Sequence, residues 1–133
     1  MGDGQLKKDI QDYIQKAGID EHVRLLGSVQ NVNEILPCCD CFLLPSIREA
    51  FGISAIEAQA ASCFAFVADC CPKEIDCGGV EFISIKEAPS FWAQKICDRY
   101  DRKEEVHIKQ DMIEKFDIRN TVKDLLDFYE RIV

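Results

Sequence analysis

Ser46-Ile-Arg-Glu-Ala-Phe-Gly-Ile-Ser-Ala-Ile-Glu-Ala-Gln-Ala-Ala61 is the stretch on which the reading of this chain turns. The apolar run Cys41-Phe-Leu-Leu44 ends at Pro45-Ser46, a short loop follows, and Gly52 opens a helix rich in alanine and isoleucine. Strand, glycine-bearing loop and helix N-terminus together make an anion site, because unpaired backbone N–H groups and the helix dipole face the loop. Gly52 has no side chain to hold backbone away from an anion. Two carboxylates frame it, Glu49 in the loop and Glu57 on the helix.

The residues alone leave two readings of Glu57 open. Its neighbours Ile53, Ala55, Ile56, Ala58, Ala60 and Ala61 predict a buried helix, where a carboxylate needs hydrogen-bond donors. Vicinal hydroxyls, as on a ribose, would satisfy its two oxygens; so would an arginine or a backbone amide. Glu49 reads either as a solvated loop carboxylate that complements the helix N-terminus or as a grip on hydroxyls.

Outward from this stretch, the chain is an alternation. Leu6, Ile10, Tyr13, Ile14 and Ala17 share one face of a helix that Gly18 stops. Val23 to Leu26 reads as a short strand ending at Gly27. Asn31 caps a short helix through Val32, Ile35 and Leu36 that Pro37 limits. Cys41 to Leu44 is a second strand, apolar enough for burial on both faces. Ala65 to Ala68 and Val80 to Ile85 are the third and fourth, with Pro72 and Gly78-Gly79 between them. From Pro89 the pattern is helical only, with Phe91 and Trp92 as core anchors. Strands alternating with helices predict an α/β fold on a parallel sheet, whose ligands bind beyond the carboxyl ends of the strands.

Composition narrows the function. The 133 residues suit one compact domain, and 47% hydrophobic with 30% charged residues is the balance of a globular protein. A net charge of −8 argues against a nucleic-acid groove or an anionic-membrane patch. No apolar run is long enough to span a bilayer, and no secretory signal stands at Met1. The 8 cysteines form no pair of Cys-x-x-Cys knuckles and lie in or beside apolar stretches, as reduced, buried thiols in a cytoplasmic protein do. His22 and His107 stand isolated, as surface histidines. A magnesium-dependent regulatory domain is disfavoured, since Asp69 alone follows a strand and Asp40 precedes one.

Pro45-Ser46, the Glu49-x7-Glu57 pair, Phe51-Gly52-Ile53 and Glu57-Ala-Gln-Ala-Ala61 resemble the signature of retaining GT-B glycosyltransferases of the glycogen-synthase-like, capsule- and lipopolysaccharide-synthesising group. Further segments match in order: Gly2-Asp3-Gly4, Val23-Arg-Leu-Leu-Gly-Ser-Val29, Asp40 to Ser46, Asp69-Cys-Cys-Pro-Lys-Glu-Ile75 and Phe116-Asp-Ile118. The resemblance implies a doubly wound, Rossmann-like domain, incomplete, with carboxyl-terminal helices; residues 1–133 would be a single partial carboxyl-terminal nucleotide-sugar-binding domain. It implies transfer of a sugar from a UDP- or GDP-sugar to an acceptor hydroxyl, in polysaccharide or glycoconjugate synthesis, with no metal cofactor. Glu49 would be catalytic, holding donor-sugar hydroxyls beside the reacting carbon. Phe51, Gly52 and Ile53 would offer amides to the diphosphate, Glu57 would bind the ribose, and Val29 would touch the base.

The sequence departs from that pattern in several places. Ala50 and Ser62 stand where glycine is usual, and Phe64 where proline is. The family's acceptor domain, two strands, a helix and the basic pair for the diphosphate are not in these residues, so the chain alone is expected to be inactive. Arg48 and Lys73 are the nearby basic candidates. The Val23 strand is then expected to shift onto the Cys41 strand, or a partner chain or homodimer to complete the sheet. The alternative function is a non-catalytic nucleotide-sugar-binding or interaction module completed by a partner subunit.

Overall fold

A computed structural model of the chain describes residues 3–132, so the Gly2 part of the Gly2-Asp3-Gly4 turn lies outside the described residues. The chain divides into two compact units, residues 1–32 and 33–133.

In the amino-terminal unit, helix α1 spans Lys7–Ala17 and ends on Gly18 at φ +65°, a left-handed cap whose amide bonds back to Gln15 and Ile14. Only Ile14 of its apolar face is buried; Leu6, Ile10 and Tyr13 are exposed. Leu6 and Ile10 border an open groove of about 250 Å³ opposite Leu25 and Leu26. The strand expected at Val23–Leu26 is not formed, and its expected shift onto the Cys41 strand does not occur. Strand geometry is held by ladder bonds to a neighbour, and this exposed segment makes none.

The second unit carries the sheet. After the short α2 (Val32–Ile35) and a 3-10 turn at Leu36–Cys38, three strands form: β1 (Cys41–Leu44), β2 (Phe64–Ala68) and β3 (Val80–Ile83). They are parallel in the order β1-β2-β3, with Cys41 opposite Phe64 and Ala65 opposite Val80. Between β1 and β2 lies α3 (Ile53–Ala60), packed on both; α4 (Pro89–Arg102), α5 (Gln110–Glu114) and α6 (Ile118–Ile132) follow the sheet. The architecture is α/β with carboxyl-terminal helices, consistent with part of a Rossmann-like domain.

Burial corrects two sequence expectations. The strand buried on both faces is β2, whose Ala65, Phe66, Val67 and Ala68 are all at 0% exposure. In contrast, β1 is half-buried, with Leu43 at 42%, and among the described residues it has a ladder on one side only. Trp92 does anchor α4 in the core, beside Ile56, Phe66, Ile75 and Ile83, whereas Phe91 is exposed.

Candidate functional site

Strand β1 delivers the chain at Leu44 to the loop 45–51, and α3 begins at Ile53. The turn into the helix is Gly52, at φ +90° and ψ 41°. A Cβ there would meet Ile75 Cδ1 at 3.4 Å and Glu49 Cγ at 3.6 Å, ordinary contacts, so backbone conformation rather than space demands glycine. The Gly52 carbonyl accepts the Ala55 amide at 2.9 Å, and no side chain caps the helix. Amides of the first turn are thereby left for an anion or water, at the positive end of the helix dipole.

Glu49 is half-buried in the loop. The Ser46 hydroxyl donates to its Oε2 at 3.2 Å, and the Cys70 thiol donates to the Ser46 carbonyl at 3.1 Å. A chain of polar contacts thus runs from the end of β2 through Ser46 to the carboxylate. Ser46 is a residue whose part the sequence did not disclose, although its place three residues before Glu49 is suited to such a contact.

Glu57 departs from expectation. Residues 53, 57 and 60 form the outward face of α3, so Glu57 is exposed, as is Ile53 at 63%. Its carboxylate needs no buried partner. It borders a cleft of about 420 Å³ shared with Phe51, Ile53, Ile56, Ile113 and Phe116. The helix's buried polar residue is instead Gln59, at 0% exposure and fully satisfied. Its amide nitrogen donates to the Ala55 carbonyl at 3.0 Å and the Ile75 carbonyl at 2.8 Å; its oxygen accepts from Cys77 N at 2.9 Å and Gly79 N at 3.1 Å. The signal for Gln59 was its spacing, three and four residues after Ile56 and Ala55 on the inward face.

Glu49, Phe51, Gly52, Ile53 and Glu57 therefore surround one helix start, while half-buried Val29 belongs to the amino-terminal unit. Of the two basic candidates, Arg48 is exposed, and the Lys73 ammonium lies over the Phe82 ring, 3.3 Å from its centroid. After β2, the Ile85 amide and the Ser84 hydroxyl hold the Asp69 carboxyl below its ordinary range. Burial pushes the Cys71 thiol up to about 11, away from nucleophilic use. All eight cysteines are free thiols, and among the described residues no three His, Cys, Asp or Glu side chains converge as metal ligands.

The family model described as glycosyl transferases group 1 matches residues 1–75, a range that contains every one of these candidate residues. The chain is 29% identical over 97 residues to EpsF of Bacillus subtilis, which is named a glycosyltransferase, covering 71% of this chain and 25% of that protein. It is 29% identical over 130 residues to a D-inositol 3-phosphate glycosyltransferase of Corynebacterium kroppenstedtii, covering 92% of this chain and 29% of the relative. A Campylobacter jejuni N,N'-diacetylbacillosaminyl-diphospho-undecaprenol alpha-1,3-N-acetylgalactosaminyltransferase is 28% identical over 140 residues, covering 95% and 35%. The chain thus spans about a quarter to a third of the length of these relatives. With its match over more than half its length and carrying the loop, the helix start and both carboxylates, the chain belongs to the group 1 glycosyl transferases.

Proposed function

We propose that this chain carries the donor-binding half of a retaining glycosyl transfer from a UDP- or GDP-sugar to an acceptor hydroxyl. One observation carries the reading: within the family match, Gly52 turns the chain into a helix start that no side chain caps, with Glu49 and Glu57 on either side. In this reading the amides at Phe51, Gly52 and Ile53 hold the diphosphate. Glu57, exposed and beside a cleft, accepts from the ribose hydroxyls. Glu49, held by Ser46, grips sugar hydroxyls beside the reacting carbon, and Val29 meets the base. Catalysis is then positioning plus stabilisation of the departing diphosphate, without a metal. In this reading the chain by itself binds donor without turning it over. In this reading its place is the cytoplasm, in polysaccharide or glycoconjugate synthesis.

Calorimetric titration of the chain with UDP-glucose and GDP-mannose, before and after dialysis against EDTA, tests this. Binding of one donor, unchanged by EDTA and abolished by Glu57→Ala, is expected. No binding of either would remove the functional claim. A second reading, an interaction module completed by a partner chain or by a second copy, draws on the apolar β1, which among the described residues has a ladder on one side only. A stable monomer in light scattering speaks against the second-copy form.

A further inference from the structure

The donor loop is held by a part of the chain beyond the family match. The Phe51 ring meets the Phe116 ring edge-on, with centroids 5.8 Å apart and planes at 64°. Phe116 stands in the turn between α5 and α6, outside residues 1–75. That turn is itself fixed. The Phe116 amide donates to the Ile113 carbonyl at 2.9 Å, and the Asp117 amide to the Glu114 carbonyl at 3.2 Å. Met112, Ile113 and Phe116 pack on the buried core.

The support continues toward the sheet. The Lys109 amide donates to the Cys77 carbonyl at 2.7 Å, and a Cβ on Gly78 would come within 2.5 Å of the His107 carbonyl oxygen. The strap before α5 is therefore seated against Gly78 and Gly79. The same Cys77 and Gly79 offer their amides to Gln59, in the last turn of α3. A closed circuit results: Gln59 ties the end of α3 to Cys77, the strap ties Cys77 to α5, and Phe116 returns to Phe51 just before the start of α3. Among the described residues no second aromatic ring packs on Phe51, which is 37% exposed.

We propose that Phe116 is a positioning residue for the donor loop, acting through Phe51 to hold the amides of Phe51, Gly52 and Ile53 in one arrangement. The functional consequence rests on reading those amides as the diphosphate site. Donors fixed before the ligand arrives lose less conformational freedom on binding, so loosening them lowers affinity.

The test compares the full chain with Phe116→Ala and Phe116→Leu, the latter keeping an apolar side chain in place should the alanine variant unfold. The Ala55 amide, bonded to the Gly52 carbonyl at 2.9 Å, reads the helix start by hydrogen exchange without ligand, and calorimetry with UDP reads the site. Loss of an aromatic pair corresponds to about a three- to tenfold effect. Exchange at Ala55 should quicken by about that factor in both variants while β2 keeps its protection, UDP binding should weaken in parallel, and Phe116→Tyr should restore both. Unchanged exchange at Ala55 would overturn the proposal. So would an equal acceleration in β2, which would mark general destabilisation. Faster exchange at Ala55 in a chain whose wild type binds no UDP upholds the positioning role and removes the donor reading.

Discussion

Gly52 and Ser62 bracket α3, and both sit at positive φ, one as glycine and one not. At Gly52 the angle is +90°, and a side chain there brings the cost of the left-handed region, about 1–2 kcal/mol. Gly52→Ala is expected to lower stability by about that amount in urea denaturation and to weaken UDP binding. Ser62, at φ +60°, follows the helix in a left-handed turn where its amide bonds to the Gln59 carbonyl at 2.8 Å and the Cys63 amide to the Ala58 carbonyl at 2.9 Å. The resemblance made glycine usual at this position, and the backbone shows why. Ser62→Gly should stabilise the chain by about 0.5–1 kcal/mol, the left-handed penalty less the added freedom of the unfolded glycine. Gln59 is the contrasting case, since Gln59→Leu keeps the volume but leaves buried backbone groups at Ile75, Cys77 and Gly79 unpaired. A loss of about 3 kcal/mol is expected from the same denaturation measurement. A change below a tenth of that would mean that the three-way tie carries no stability.

Among the elements, α6 shows how a local signal fixes a start without fixing a partner. Asp117 is its N-cap: Oδ1 accepts the Arg119 amide at 2.9 Å, and the Asp117 carbonyl accepts the Asn120 amide at 3.0 Å. The Arg119 guanidinium and amide together hold the Asp117 carboxyl down at about 2, below its ordinary 3.8. A lowered folded-state pKa means that the contribution is whole above the unfolded value and is lost as pH falls through the folded one. The Arg119 amide resonance should therefore titrate with a midpoint near 2 and be intact at pH 5. In Asp117→Asn, which keeps the cap but not the charge, that titration should vanish. If the variant titrates like the wild type, the ion pair is not the cause. The apolar side chains of this same helix, Val122, Leu125, Leu126 and Tyr129, are exposed, so periodicity marked an amphipathic helix but said nothing of what faces it.

For the whole molecule, burial is concentrated in β2 and the inward face of α3, while α1 and α6 present most of their apolar side chains to solvent. Stability should follow the same gradient. Native-state hydrogen exchange is expected to find the slowest amides in β2, residues 64–68, and the fastest helical ones in α1 and α6. Equal protection of α6 and β2 would show that the helix face is covered in solution.

The elements legible in the sequence were those set by local chemistry. The apolar runs at 41–44 and 65–68, the stops at Gly18 and Pro37, and the glycine that opens α3 all act within a few residues, so a linear reading finds them. The same locality made the loop and both carboxylates visible before any fold was known. What only the tertiary structure decided is burial and pairing, because each depends on a neighbour distant in sequence. Val23–Leu26 had the composition of a strand and no ladder to join; β1 had that of a central strand and a neighbour on one side. Glu57 lay among alanines yet faces outward, and Gln59, two residues on, is the buried one. Phe116 meets Phe51 across more than sixty residues, a contact that no periodicity in either segment encodes.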